Sequence, residues 1–302
     1  MEYQKFSGIR IDYQEVGSGN GINMLLDKKV DFGASDIFIS DQDIKKLGIE
    51  PLNIPTCVGA VVIIYNLPGK PALKLDSDVL TDLFMGKITN WSDKRIKAIN
   101  GNIQLPPLSV NVVHRSDSSG TNYIITDYLS KTDTRWKASV GRGKLVNWPF
   151  GMGVQRNAGV AEMVKRIPGS IGYVELNYAE SKSLQMALIK NRAGRFVKPT
   201  LDSVASAANV YLPDDSRVMI TDTAIPDGYP ISSFTYILFY REQSYNQRSE
   251  KEARALNHFL IWIVSDGQKY TRSLLYAPLP KEAVNNALKT IHTMTFNSNK
   301  VE

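Results

Sequence analysis

The chain has one cysteine and three histidines in 302 residues. A lone Cys57 excludes an internal disulfide and any multi-cysteine metal site, and it reads as a small packed hydrophobe. Long apolar runs are missing too. The longest, about residues 58–65, falls far short of the roughly 20 residues that span a bilayer, so it reads as a strand. No basic stretch followed by an apolar one precedes the first globular-looking segment, so no secretory signal is visible. Internal repeats and low-complexity tracts are absent. The patterns G-x-x-x-x-G-K-[ST], G-x-S-x-G and H-E-x-x-H are absent as well, so nothing here asks for a nucleotide, a metal or another cofactor.

What is present describes a globular chain. Hydrophobic residues make up 43% and charged residues 22%, which argues against disorder, and the length exceeds what one core serves, so two domains are expected. The formal charge of +6 comes from lysines and arginines scattered among acids, as at 94–97 and 250–254. That pattern speaks against nucleic acid and would assist the approach of an anion.

Strand-like and helix-like stretches alternate, which predicts an α/β protein with mainly parallel sheets. Residues 9–16, 30–35, 59–65, 110–114, 170–176 and 231–240 read as strands. Ile22, Leu25 and Leu26 fall on one helical face, as do Val79, Leu80, Leu83 and Phe84 after a candidate N-cap at Ser77. Ile124, Ile125, Tyr128 and Leu129 mark another helix, 160–166 a further one, and 250–265 a strongly amphipathic one. The Gly- and Asn-rich stretch 147–159 reads as a loop, and 209–230 as an irregular connection.

Two turns carry the functional signal. Gly17-Ser18-Gly19 and Ser118-Ser119-Gly120-Thr121 both sit where a strand hands over to a helix, with a hydroxyl read at the N-cap and glycine beside it. A helix start leaves unpartnered N–H groups and about half a positive charge, and glycine allows close approach, so each turn suits an anion. A serine N-cap that only stabilises its helix is the commoner meaning of either turn alone. Each turn, however, lies near a charged residue closing a strand, Asp36 in one case and Arg115 in the other. Open α/β sheets collect ligands just past such strand ends.

Arg115 offers a forked, permanent charge to an oxyanion, and Asp117 is placed to orient that fork; a surface ion pair between the two is the plainer alternative. Asp36 in an anion site makes sense if the anion carries its own proton. Phosphate keeps an O–H near neutral pH for a carboxylate to accept, whereas sulfate has none.

At these residues the chain resembles the phosphate-binding proteins of ABC-type phosphate importers. The similar stretches are YQEVGSGNG at 13–21, VDFGASD at 30–36, GKITNW at 86–91, VHRSDSSGT at 113–121, WPFGMG at 148–153 and PGSIGYVE at 168–175, in order across nearly the whole chain. The resemblance implies a two-lobed type II periplasmic-binding-protein fold with a hinge and an interlobe cleft. It implies a receptor that binds inorganic phosphate, performs no chemistry, and delivers the ion to a membrane permease outside the cytoplasm as a monomer. It places Ser18 and Asp36 on lobe one (1–58 and 232–302). Arg115, Ser119, Gly120 and Thr121 fall on lobe two (59–231), with Asp117 supporting Arg115. Members of the family begin with a strand, a Gly-rich turn and a Thr-Phe pair that are not found here; residues 1–6 read as the end of the first helix, with the preceding strand and most of that helix missing.

Competing readings are a receptor for molybdate or sulfate, a serine-dependent phosphate-processing enzyme, and a structural or adhesion protein. The enzyme is disfavoured because His114, next to Arg115 on a strand, points away from the arginine's face and so away from Ser119. Asn90-Trp91-Ser92 matches a glycosylation sequon and reads as coincidence, while Trp91 and Trp148 read as core residues.

Overall fold

The computed structural model describes residues 2–41, 44 and 51–301. Its helices are α1 (Glu2–Ser7), α2 (Ser18–Leu26), α3 (Ser77–Phe84), α4 (Lys94–Ile99), α5 (Gly120–Thr132), α6 (Thr134–Ser139), α7 (Arg156–Arg166), α8 (Leu176–Ser181), α9 (Leu201–Ala207), α10 (Glu250–Val264) and α11 (Lys281–Ile291). Its strands are β1 (Gly33–Ser35), β2 (Pro51–Tyr65), β3 (Lys74–Leu75), β4 (Asn111–Arg115), β5 (Met152–Val154), β6 (Ser170–Glu175), β7 (Gln185–Met186), β8 (Leu188–Lys190), β9 (Phe196–Val197), β10 (Ser232–Tyr240), β11 (Thr295–Phe296) and β12 (Asn299–Lys300).

One sheet organises the molecule, in the order β1-β10-β2-β6-β4-β5, with β7 pairing β2 off that path. Its centre is β2, which is long enough to serve two partners in succession. Its first part pairs antiparallel with β10 over Pro51–Ala60, and its last part pairs with β6 over Val61–Tyr65. Val61, Val62, Ile63 and Ile64 are fully buried, which is why this run carries no polar alternation. Each such side chain contributes about 1.5–3 kcal/mol relative to exposure.

The sheets are mixed rather than mainly parallel. Only β4 with β6, β4 with β5, and β3 with β8 run parallel among the described residues. The reason lies in β2 and β10, two long strands whose antiparallel ladder joins the two ends of the sheet.

Other differences are local. Residues 9–16 form no strand; they run irregularly and half-exposed, with no ladder partner among the described residues. Without a partner, strand-like composition has no hydrogen bonds to make. The cap of α3 is Asp76, which accepts from the Val79 N–H at 3.0 Å, and Ser77 is its first helical residue. Within 147–159 the short strand β5 forms, and α7 starts at Arg156 instead of 160. The stretch 209–230 is irregular as read. Trp91 is wholly buried and donates to the Gly169 carbonyl at 2.8 Å.

Candidate functional site

Two helix starts face each other across a cleft. The start of α2 follows Gly17, whose φ of 82° is a conformation that favours glycine. This makes Gly17 the N-cap and Ser18 the first helical residue, a correction to the sequence reading. Ser18 is thereby free of a capping role, and its hydroxyl turns to Asp36, accepting from the Asp36 N–H at 3.2 Å and donating to Oδ2 at 3.4 Å. The start of α5 is capped as read: Ser119 Oγ accepts from the Asn122 N–H at 3.2 Å.

The two starts are in close register. A β-carbon on Gly19 would lie 2.2 Å from Ser118 Oγ, and one on Gly120 would lie 2.3 Å from Ser18 Oγ. Each glycine is where the opposite helix needs its backbone to come near.

The carboxylate of Asp36 follows the end of β1 and is held by a hydroxyl from β10, with Thr235 Oγ1 donating to Oδ1 at 3.1 Å. Between Thr235 and Tyr236 the β10–β2 register shifts, leaving Thr56 as the extra residue on β2. Bulges of this kind re-aim side chains near sites. Burial pushes the Asp36 carboxyl above its usual range, and hydrogen bonds from Thr235 and Ser18, then the charge of Arg115, work against that push.

Arg115, at the end of β4, is 4% exposed, so its charge must be compensated. Asp117 does this with both oxygens, taking Nε at 2.7 Å and Nη2 at 2.5 Å. Burial would raise the Asp117 carboxyl, but these bonds, the Arg115 charge and the Arg156 N–H hold it below its usual range. The remaining Nη1 donates to Asn157 Oδ1 at 3.0 Å and reaches Thr121 Oγ1 at 3.5 Å.

An aromatic cluster holds the main chain at Arg115. Tyr173 Oη accepts from the Arg115 N–H at 2.9 Å and donates to Asn122 Oδ1 at 2.6 Å. Trp148 stacks between Tyr173 and His114. His114 is thus spent on packing, and burial keeps its pKa below the usual range.

Ser18, Asp36, Arg115, Asp117, Ser119, Gly120 and Thr121 all line one cavity of about 800 Å³. Among the residues singled out by sequence, it offers two positive helix ends, the Arg115 guanidinium, several hydroxyls and, in Asp36, a carboxylate able to accept a proton. That combination suits a small oxyanion carrying a proton.

Known proteins give the context. A family model described as a PBP superfamily domain matches residues 2–267. The phosphate-binding protein PstS of Methanocaldococcus jannaschii is 38% identical over 96% of this chain and 81% of its own length. The PstS of Xylella fastidiosa is 37% identical over 94% of the chain and 78% of its own length. The chain belongs to the PstS family of phosphate-binding proteins. Its fold is that of solved members of the wider group. A high-affinity periplasmic phosphate-binding protein solved with phosphate superposes with a TM-score of 0.71 at 21% identity, over 91% of this chain and 86% of that one. An ABC-type phosphate transport receptor from Vibrio cholerae does so with a TM-score of 0.59 at 17% identity, over 92% of each chain.

This PstS-family cleft also contains residues the sequence reading did not single out. Glu175, closing β6, lines the same cavity. Its Oε1 accepts from Asn157 Nδ2 at 2.8 Å and Thr121 Oγ1 at 3.3 Å, and its Oε2 accepts from Tyr276 Oη at 2.9 Å. Burial first, then the charge of Asp36, push Glu175 up to about 7, against the pull of those three donors. The available signal was the position of Glu175 at a strand end, the same criterion that singled out Asp36 and Arg115. Asn157 and Tyr276 gave no comparable cue.

Proposed function

We propose that this protein binds inorganic phosphate in the cleft and delivers it to the membrane permease of an ABC phosphate importer. Ser18 and Asp36 hold the ion from lobe one, formed by 1–58 and 232–302. Arg115, Ser119, Gly120 and Thr121 hold it from lobe two, formed by 59–231, and Asp117 keeps the Arg115 fork in orientation. The receptor works as a monomer outside the cytoplasmic membrane, performs no chemistry on its ligand and takes no nucleic acid.

The observation that carries this reading is the meeting of Gly120 with Ser18 and Asp36, which brings a half-buried carboxylate into one pocket with a buried guanidinium and two helix starts. An ionised Asp36 accepts the O–H that phosphate retains near neutral pH. Sulfate would set lone pairs against it, and sites of this kind discriminate by about 10⁴–10⁵. Closure of the two lobes excludes water and strengthens every such contact.

Isothermal titration with phosphate and sulfate, beside a phosphatase assay, tests the proposal. One phosphate per chain, weak or absent sulfate binding and no turnover support it. Equal affinity for both anions, or hydrolysis of a phosphate ester, overturns it.

A further inference from the structure

Thr121 has one hydroxyl hydrogen and two claims on it. In the structure that hydrogen goes to Glu175 Oε1, while the Thr121 oxygen receives Asn157 Nδ2 at 3.2 Å and, at the longer 3.5 Å, Arg115 Nη1. A hydroxyl has one donor and two acceptor positions, so all three are taken. For Thr121 to donate to an anion in the cleft, its hydrogen must leave Glu175, and a half-buried carboxylate then loses one of its three donors.

A proton on Glu175 resolves the conflict. Protonated Oε1 donates to the Thr121 oxygen in place of the long Arg115 contact, and the Thr121 hydrogen is released toward the cleft. Charge acts in the same direction. Asp36 faces Glu175 across the cavity, and the charge of Arg115 is already matched by Asp117. Tyr276, Tyr13 and Tyr178 are held neutral by burial, as is Cys57. The other charged residues of the cavity wall are Lys29 and Arg156 against Asp12, Glu15 and Asp31, one more acid than base. A phosphate ion brings more negative charge to this group of acids, which disfavours an ionised Glu175 further.

We propose, resting on the phosphate-receptor reading above, that Glu175 is a proton-linked positioning residue: as phosphate enters, Glu175 takes a proton from solvent and donates it to Thr121 Oγ1, which turns its own hydrogen to the anion. No bond to phosphate forms or breaks; the only transfer is one proton from buffer to a carboxylate oxygen. Uptake of phosphate by this receptor is then coupled to uptake of a proton by the protein.

The test is calorimetric titration of the full chain with inorganic phosphate at about pH 8, in two buffers of different protonation enthalpy, for the wild type and Glu175→Gln. The glutamine is neutral at every pH, and its amide oxygen, kept in place by Asn157, competes for the Thr121 hydrogen less than a carboxylate does, so the variant is expected to bind phosphate. The wild type should take up more protons per phosphate than the variant, by up to about one, and its affinity should fall more steeply above pH 7, by up to about tenfold more per pH unit. Protonation of phosphate itself is common to both proteins and cancels in the difference. Equal proton uptake overturns the proposal. A wild type that binds no phosphate would instead overturn the receptor reading. If Glu175→Gln does not fold, infrared difference spectra of the wild type with ¹³C-labelled glutamate decide the matter. A protonated-carboxyl stretch that appears with phosphate and shifts with the label supports the proposal, and its absence rejects it.

Discussion

Gly120 stands so close to Asp36 that a β-carbon added to it would sit 2.7 Å from Oδ2 and 2.9 Å from the aspartate Cβ. A contact that short needs backbone to move. Alanine suits a helix start, and Gly120 is not at positive φ, so Gly120→Ala should leave the melting temperature near that of the wild type while wedging the cleft open. The expected result is a loss of phosphate affinity of 100-fold or more, about 3 kcal/mol, by calorimetry. Unchanged affinity would mean that the cleft does not close to this distance when loaded.

Arg115→Lys should be nearly as damaging as Arg115→Ala. A lysine cannot serve Asp117 with two parallel bonds and still reach Asn157 and Thr121 from a third nitrogen. Both variants should weaken phosphate binding by about 2–5 kcal/mol, measured as Kd. A lysine variant with wild-type affinity would reduce Arg115 to a point charge.

Asp36→Asn should narrow the preference for phosphate over sulfate by about ten- to a hundredfold, because the amide offers hydrogens that any oxyanion accepts. The wild type should show a related trend with pH. Burial raises the Asp36 pKa, so lowering the pH converts the carboxylate from acceptor to donor sooner than for an exposed aspartate. Selectivity should therefore shrink toward acid pH in the wild type and stay flat in Asp36→Asn. Competition titrations across the acid range check both.

Outside the cleft, Glu242 contributes to acid stability. Its carboxylate receives the N–H groups of Ser244, Asn297 and Ser298 and the hydroxyl of Thr295. It thereby fastens the β11–β12 hairpin, whose turn residues Asn297 and Ser298 both have positive φ. Partial burial would raise this carboxyl, but the hydrogen bonds outweigh it and bring the pKa from an ordinary 4.5 to about 2. A depressed folded-state pKa gives stability that is complete above the unfolded value and lost as pH falls from about 4.5 through about 2. Thermal melts of Glu242→Gln should show a lower melting temperature near neutrality and a flatter decline over that window.

Local chemistry made much of this legible before any coordinates. Ser119 and Gly120 announce a helix start because a capped turn following a strand is written in adjacent residues. The apolar run 59–65 and the stretch 231–240 are equally plain as strands, whereas the first part of β2, from Pro51, escaped the sequence reading. What stayed hidden depends on partners distant in the chain. Residues 9–16 have strand composition but meet no ladder among the described residues. Thr235 reaches Asp36 only because a bulge turns it, and Tyr276 reaches Glu175 across 101 positions of sequence. No period or turn motif encodes such meetings. Ser18 was misplaced by one helical position because the unusual φ belongs to its glycine neighbour and leaves no trace in the hydroxyl.

The strand from Pro51 to Tyr65 has a mechanical meaning. A single continuous ribbon is stitched to β10 along one stretch and to β6 and β7 along the next. Sliding β10 against β6 would tear one of these ladders, so a movement between them has to flex that ribbon. In a receptor that opens and closes as proposed above, such flexing returns Gly19 and Gly120 to the same opposing serines.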